Sequence, residues 1–81
     1  MSGKVYINGR RSISAKEFKE RVGTLTWYRC GTMMESEQSL SPKQVISIYN
    51  DGKGFGRRVY EDARGLVLRF KDDVNWYEGR K

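Results

Sequence analysis

The stretch 41-SPKQVISIYNDGKGFGRRVY-60 decides the fold, because its first half fits two different elements and its second half joins them to the rest. Ser41, Pro42 and Gln44 have the chemistry of a helix start: a capping hydroxyl, a proline suited to the first helical position, and an amide three residues on. Val45, Ile46, Ile48 and Tyr49 have the composition of a strand. β-Branched side chains crowd a helix, so the segment is read as one tight turn running into a strand. Asp51 to Gly56 then becomes a flexible hairpin loop, with 57-RRVYED-62 as the next strand.

Working outward, 4-KVYI-7 followed by Asn8-Gly9 is a strand meeting a type I′ turn, with Arg10 to Ile13 returning beside it. The residues 14-SAKE-17 form a capping box, Phe18 and Val22 share one face, and Glu17 pairs with Arg21 one turn on. Gly23 suits a left-handed stop, which predicts a short helix over about 15–22. The β-branched and aromatic run 24-TLTWYRCGT-32 is a strand, and the polar, acidic residues 33–41 are an exposed loop. In 66-LVLRFK-71 apolar and mixed positions alternate as in a half-buried strand. Asp72-Asp73 turns the chain into 74-VNWY-77, a last short strand. The pattern predicts a β-rich α+β domain, ordered β-β-α-β-β-β-β. Its expected form is a small, strongly bent antiparallel sheet or an SH3-like or OB-like partial barrel. An open antiparallel sheet with the helix on one face is the second choice.

Eighty-one residues make one domain, 1–81, since a second could not bury its own core. Sixteen Lys and Arg against ten Asp and Glu leave a net charge of +6, which favours a polyanionic partner. The single cysteine, Cys30, permits no intramolecular disulfide, and there is no histidine to serve as general base or metal ligand. A zinc site within one chain is excluded on that inventory, and Cys30 is read as a small buried filler. No apolar run approaches a membrane span, and the first residues lack the apolar centre of a signal peptide. The expectation is a soluble, cytoplasmic, non-enzymatic protein with no cofactor and no metal.

Residues 53–60 carry three cations and no acid. Their glycines do not match a nucleotide loop, since neither GxxxxGK[ST] nor GxGxxG occurs. The segment 53-KGFGRRVY-60 does resemble the eight-residue signature of the RNA-recognition motif family, at Lys53, Gly54, Phe55, Gly56 and Tyr60. It departs at Arg57 and Arg58, where that family carries an aromatic and a valine, and 61–71 lacks the helix that should follow. The resemblance covers two short patches, this one and 5-VYINGR-10, and implies aromatics that stack on unpaired bases. The candidate nucleic-acid-binding residues are Lys53, Phe55, Arg57, Arg58 and Tyr60 on one Gly/Arg-rich β-ribbon. Arg10 and Arg11 offer a second contact, and Arg69 and Lys71 an extension. Tyr6, Trp27, Tyr28, Trp76 and Tyr77 are further stacking candidates, although the tryptophans are read as core. Asp51-Gly52-Lys53 has the local form of a nuclease D-x-K element, without a second carboxylate placed to share a metal.

The leading functional expectation is a small basic binding module that contacts a DNA or RNA backbone through the ribbon. The alternative is an inhibitor or adaptor of the phage or mobile-element type, aimed at a host protein or ribonucleoprotein.

Overall fold

The computed structural model describes residues 9–32, 38–71 and 74–81. The chain runs β1 (Arg11–Ser12), α1 (Ala15–Val22), β2 (Thr26–Gly31), β3 (Gln38–Leu40) and α2 (Pro42–Asp51). A 3₁₀ turn (Gly52–Phe55) leads into β4 (Arg57–Asp62), β5 (Gly65–Phe70) and β6 (Asn75–Arg80). The six strands form one antiparallel sheet in the order β1-β4-β5-β6-β2-β3. With β1 and β3 at opposite edges the sheet is open and does not close as a barrel. A β-rich α+β domain is what forms, and it carries two helices where one was expected.

The second helix is the main correction. Residues 42–51 are α2, not a turn and strand. Ser41 Oγ accepts from the Gln44 amide at 3.2 Å, and the Ser41 amide donates to Gln44 Oε1 at 2.8 Å, with Pro42 at the first position. Such a cap contributes about 1 kcal/mol. Val45 and Tyr49, one turn apart, are both buried, and burial of side chains of this size stabilises by about 1.5–3 kcal/mol each. The intrinsic penalty of a β-branched residue in a helix is at most about 0.7 kcal/mol. Burial and capping together outweigh it.

Because 42–51 is helical, 50–56 is not a hairpin loop and no β-ribbon projects there. Instead the 3₁₀ turn closes the helix onto the sheet. Gly56, at φ 67°, takes the left-handed conformation that releases the chain into β4. Gly52 lies against the Phe70 ring so closely that a Cβ would stand 1.7 Å from Cε1.

The helix expected at 15–22 is α1. Ser14 Oγ accepts from the Glu17 amide at 3.1 Å, but the Glu17 carboxylate turns to Arg11 and Arg21 and does not close the box. Gly23 ends the helix in right-handed conformation, φ −73°, not left-handed. Residues 38–40, expected as loop, pair with β2 and set Leu40 opposite Trp27. The last strand extends to Arg80, past the expected end at Tyr77. Arg11 and Ser12 pair with β4, while the expected strand 4–7, most of the acidic loop 33–37 and the turn at Asp72-Asp73 lie outside the described residues.

Both helices pack on one face of the sheet. Phe18 stacks on Tyr49 with ring centroids 4.7 Å apart and meets Trp27 edge-on at 5.8 Å. Trp27, Leu66, Leu68, Phe70 and Tyr77 supply the sheet side of this core. The Trp27 indole nitrogen donates to the Val22 carbonyl at 2.9 Å, so the largest core ring also carries its polar atom satisfied. Gly79 leaves room beneath that ring.

Candidate functional site

Side chains alternate across a strand, so each residue that enters the core sends its neighbours to the opposite face. Among the described residues no helix covers that second face. The strand register arranges it in rows. Nearest the 3₁₀ turn run Arg58, Arg69, Trp76 and Cys30. Through the middle run Ser12, Tyr60, Val67, Glu78, Tyr28 and Ser39.

Three aromatics on this face each carry an arginine. Arg10 lies 4.9 Å from the Tyr60 ring centroid, Arg69 4.9 Å from Trp76, and Arg80 4.8 Å from Tyr28. The three rings are half-buried, and Val67, beside Tyr60 in the middle row, is 2% exposed.

The charge on the face is not evenly balanced. Glu78, in the middle row, accepts from Arg80 Nη2 at 2.6 Å and Nε at 3.0 Å, and from the Trp76 indole at 2.9 Å. Arg64 adds a longer ion pair at 3.7 Å. Burial pushes the Glu78 carboxyl up, but the hydrogen bonds from Arg80 and Trp76 outweigh it and hold the group below the ordinary carboxylate value. Arg80 is thereby neutralised and Trp76 pinned. Arg10, Arg58 and Arg69 form no ion pair among the described residues. Arg58 and Arg69 stand directly opposite each other on paired strands, an arrangement that is destabilising between like charges.

The sequence-derived site is divided by this geometry. Arg10, Arg58, Tyr60 and Arg69 come together on the open face. Arg57, next to Arg58, must point the other way, and its guanidinium lies 3.8 Å over the Tyr49 ring of α2. Its Nη1 is buried without a hydrogen-bond partner. Arg11 also belongs to the helix side, where it bonds Glu17 at 2.6 Å and Glu61 at 3.0 Å. Arg21 completes that cluster, at 3.0 Å from Glu17 and 2.9 Å from Glu61. Its hydrogen bonds from Arg11, then Arg21, lower the Glu17 carboxyl. Hydrogen bonds to Glu17, then Glu61, raise Arg11 above its already high value. Both Arg11 and Arg57 are therefore committed to the fold.

Lys53 and Phe55 occupy the 3₁₀ turn that precedes β4. Both are exposed, Phe55 at 72%. The resemblance to the RNA-recognition signature therefore does not carry Phe55 onto a strand, and β5 follows β4 where that family has a helix. The stacking candidates divide too: Trp27 and Tyr77 are core, Tyr28 and Trp76 are on the open face, and Tyr6 lies outside the described residues. Arg80 was missed, although continuing the alternation of 74-VNWY-77 through Glu78-Gly79-Arg80 places Trp76, Glu78 and Arg80 on one side.

Among the described residues no group of three or more His, Cys, Asp or Glu side chains is arranged to hold a metal ion, and no helix is long and apolar enough to cross a membrane. Cys30 is buried, as expected of a filler. A cavity of about 440 Å³ beside the β4–β5 turn is lined by Arg21, Arg64, Arg80 and Lys81, but also by Glu61 and Asp62. Its Arg21–Glu61 pair is already made, so it is a weaker place for an anion than the open face. Comparison of the chain with family models, with curated proteins and with solved structures gave no match.

Proposed function

We propose that this chain is a small binding module that contacts a nucleic-acid backbone through the helix-free face of its sheet. The observation that carries the reading is the Arg58–Arg69 pair. Two arginines opposed in register on one sheet face, with Arg10 on the same face and no carboxylate joined to any of them among the described residues, form a cationic patch that an external anion would neutralise. A net charge of +6 supplies the long-range attraction for a polyanion. Arginine is also the side chain whose planar fork fits phosphate oxygens. No catalytic step is assigned, because no nucleophile–base pair stands on this face among the described residues.

The test is equilibrium binding to DNA and RNA, single- and double-stranded, over a salt series. Each phosphate contact removed should lower the slope of log affinity against log salt by about 0.7–0.9. Arg58→Glu with Arg69→Glu should abolish binding. Lys43→Glu, an equal charge change per residue on the exposed side of α2, should only weaken it slightly. Absence of binding at low salt, or equal losses for both changes, overturns the reading.

The second reading, an adaptor or inhibitor that meets a protein, has one observation in its favour. Phe55 stands exposed between Gly54 and Gly56 on a turn that is fastened to Phe70. If Phe55→Ala removes a protein interaction that the arginine changes leave intact, that reading takes precedence.

A further inference from the structure

Resting on the reading that the open face meets a nucleic acid, we infer that its occupant is an unpaired polynucleotide strand whose bases stack on Tyr60, Trp76 and Tyr28. The major groove of a duplex is the wrong shape for this surface. The three rings stand on β4, β6 and β2, all interior strands of the sheet, flanked by β1 and β3. Neighbouring strands lie about 4.8 Å apart, so β4 to β2 alone spans about 14 Å. The major groove of B-DNA is about 12 Å wide and admits a helix or a two-stranded ribbon. A broad sheet face cannot enter it, and a duplex hides the faces of its bases.

The aromatics also stand outside the helix-covered core. Both helices and the apolar core lie on the other side, so these rings fill no core. None of the three stacks on another aromatic among the described residues. From the register, Trp76 and Tyr28 are one strand and one row apart, and Tyr60 and Trp76 two strands and one row apart. Each ring is left to take a separate base. The arginine over each ring is no obstacle, since guanidinium planes stack on bases as rings do, and a cation–π contact at an exposed site is weaker than base stacking.

Glu78 gives the face a direction. By engaging Arg80 and Arg64 it occupies the cations that reach the middle row, which directs the backbone toward Arg58 and Arg69. Through the Trp76 indole and Arg80 it also fixes two of the stacking groups before any ligand arrives, which lowers the ordering cost of binding.

The experiment compares oligouridylate and oligothymidylate of about ten nucleotides with their matching duplexes, read by anisotropy and by quenching of Trp76 fluorescence. Preference for a single strand over its duplex by about tenfold supports the inference, and the tighter of the two arms names the sugar. Trp76→Ala should weaken single-strand binding by about tenfold with the salt slope unchanged. Tyr60→Leu should do the same if the tryptophan variant does not fold. Equal binding of duplex, or full single-strand affinity in both aromatic variants, overturns the inference. If Arg58→Glu with Arg69→Glu still abolishes binding in that case, the backbone reading survives alone. Failure of every polynucleotide to bind overturns both.

Discussion

Arg58 and Arg69 face each other across the β4–β5 ladder, so changing one sign should act on stability and on binding in opposite directions. Taking about 7 Å as the separation of two guanidinium groups on directly opposed residues in water, their repulsion is about 0.6 kcal/mol. Arg58→Glu converts that into a similar attraction, a total change of about 1.2 kcal/mol at low ionic strength. At 0.15 M salt the Debye length is about 8 Å, which reduces the change to about 0.5 kcal/mol. For a domain of this size 1 kcal/mol moves Tm by about 4–8 °C. The variant should therefore melt about 5–10 °C higher than the parent at low salt and about 2–4 °C higher at 0.15 M. Arg58→Gln, which only removes the charge, should give about half of each shift. The assay is a thermal melt by far-UV circular dichroism at two ionic strengths, beside the polyanion titration. A lower Tm, or a rise that salt does not diminish, would refute the argument that the two arginines are opposed and unneutralised.

Removing the buried Glu61 carboxylate takes away one of the two carboxylates that Arg11 and Arg21 share and leaves them Glu17, so Glu61→Ala should lower stability by about 1–3 kcal/mol, read as a fall in denaturant midpoint. Glu17 and Glu78 are held below the ordinary carboxylate value in the folded state. Their contribution is complete above the unfolded value near 4.5 and is lost as pH falls through the lower folded values. Stability should therefore decline on the acid side below about pH 4.5, and Glu78→Gln should flatten part of that decline in pH-dependent melts. Ser41→Ala should cost about 1 kcal/mol by removing the cap of α2. Gly52→Ala should cost about 1–3 kcal/mol by driving a methyl into the Phe70 ring, both measured by urea unfolding.

Part of this molecule was legible in single residues. Ser14, Phe18 and Val22 mark α1, because a cap and an i,i+4 apolar pair are local signals that no distant contact has to supply. Alternation in 66–71 likewise marks β5 and which of its side chains enter the core. The segment 42–51 was not legible in this way. Its β-branched composition and its helix-start chemistry point in different directions, and the outcome rests on Val45 and Tyr49 burying against Phe18 and the sheet. Once that helix forms, the glycine stretch ceases to be a ribbon.

The sequence by itself determined the β-rich character, the net charge of +6 and an inventory of one cysteine and no histidine. Only the tertiary structure decided which cations share a surface. Arg57 and Arg58 are neighbours in the chain and lie on opposite faces of a strand. Arg58, Arg69 and Trp76 stand on three consecutive strands and come side by side only through their register. Period-two alternation assigns faces within each strand, but relating the face of one strand to that of the next requires their register. That register is set by the short connections that join β4, β5 and β6, by the long-range pairing of β1 with β4 and β2 with β6, and by the helices that cover one side of the sheet.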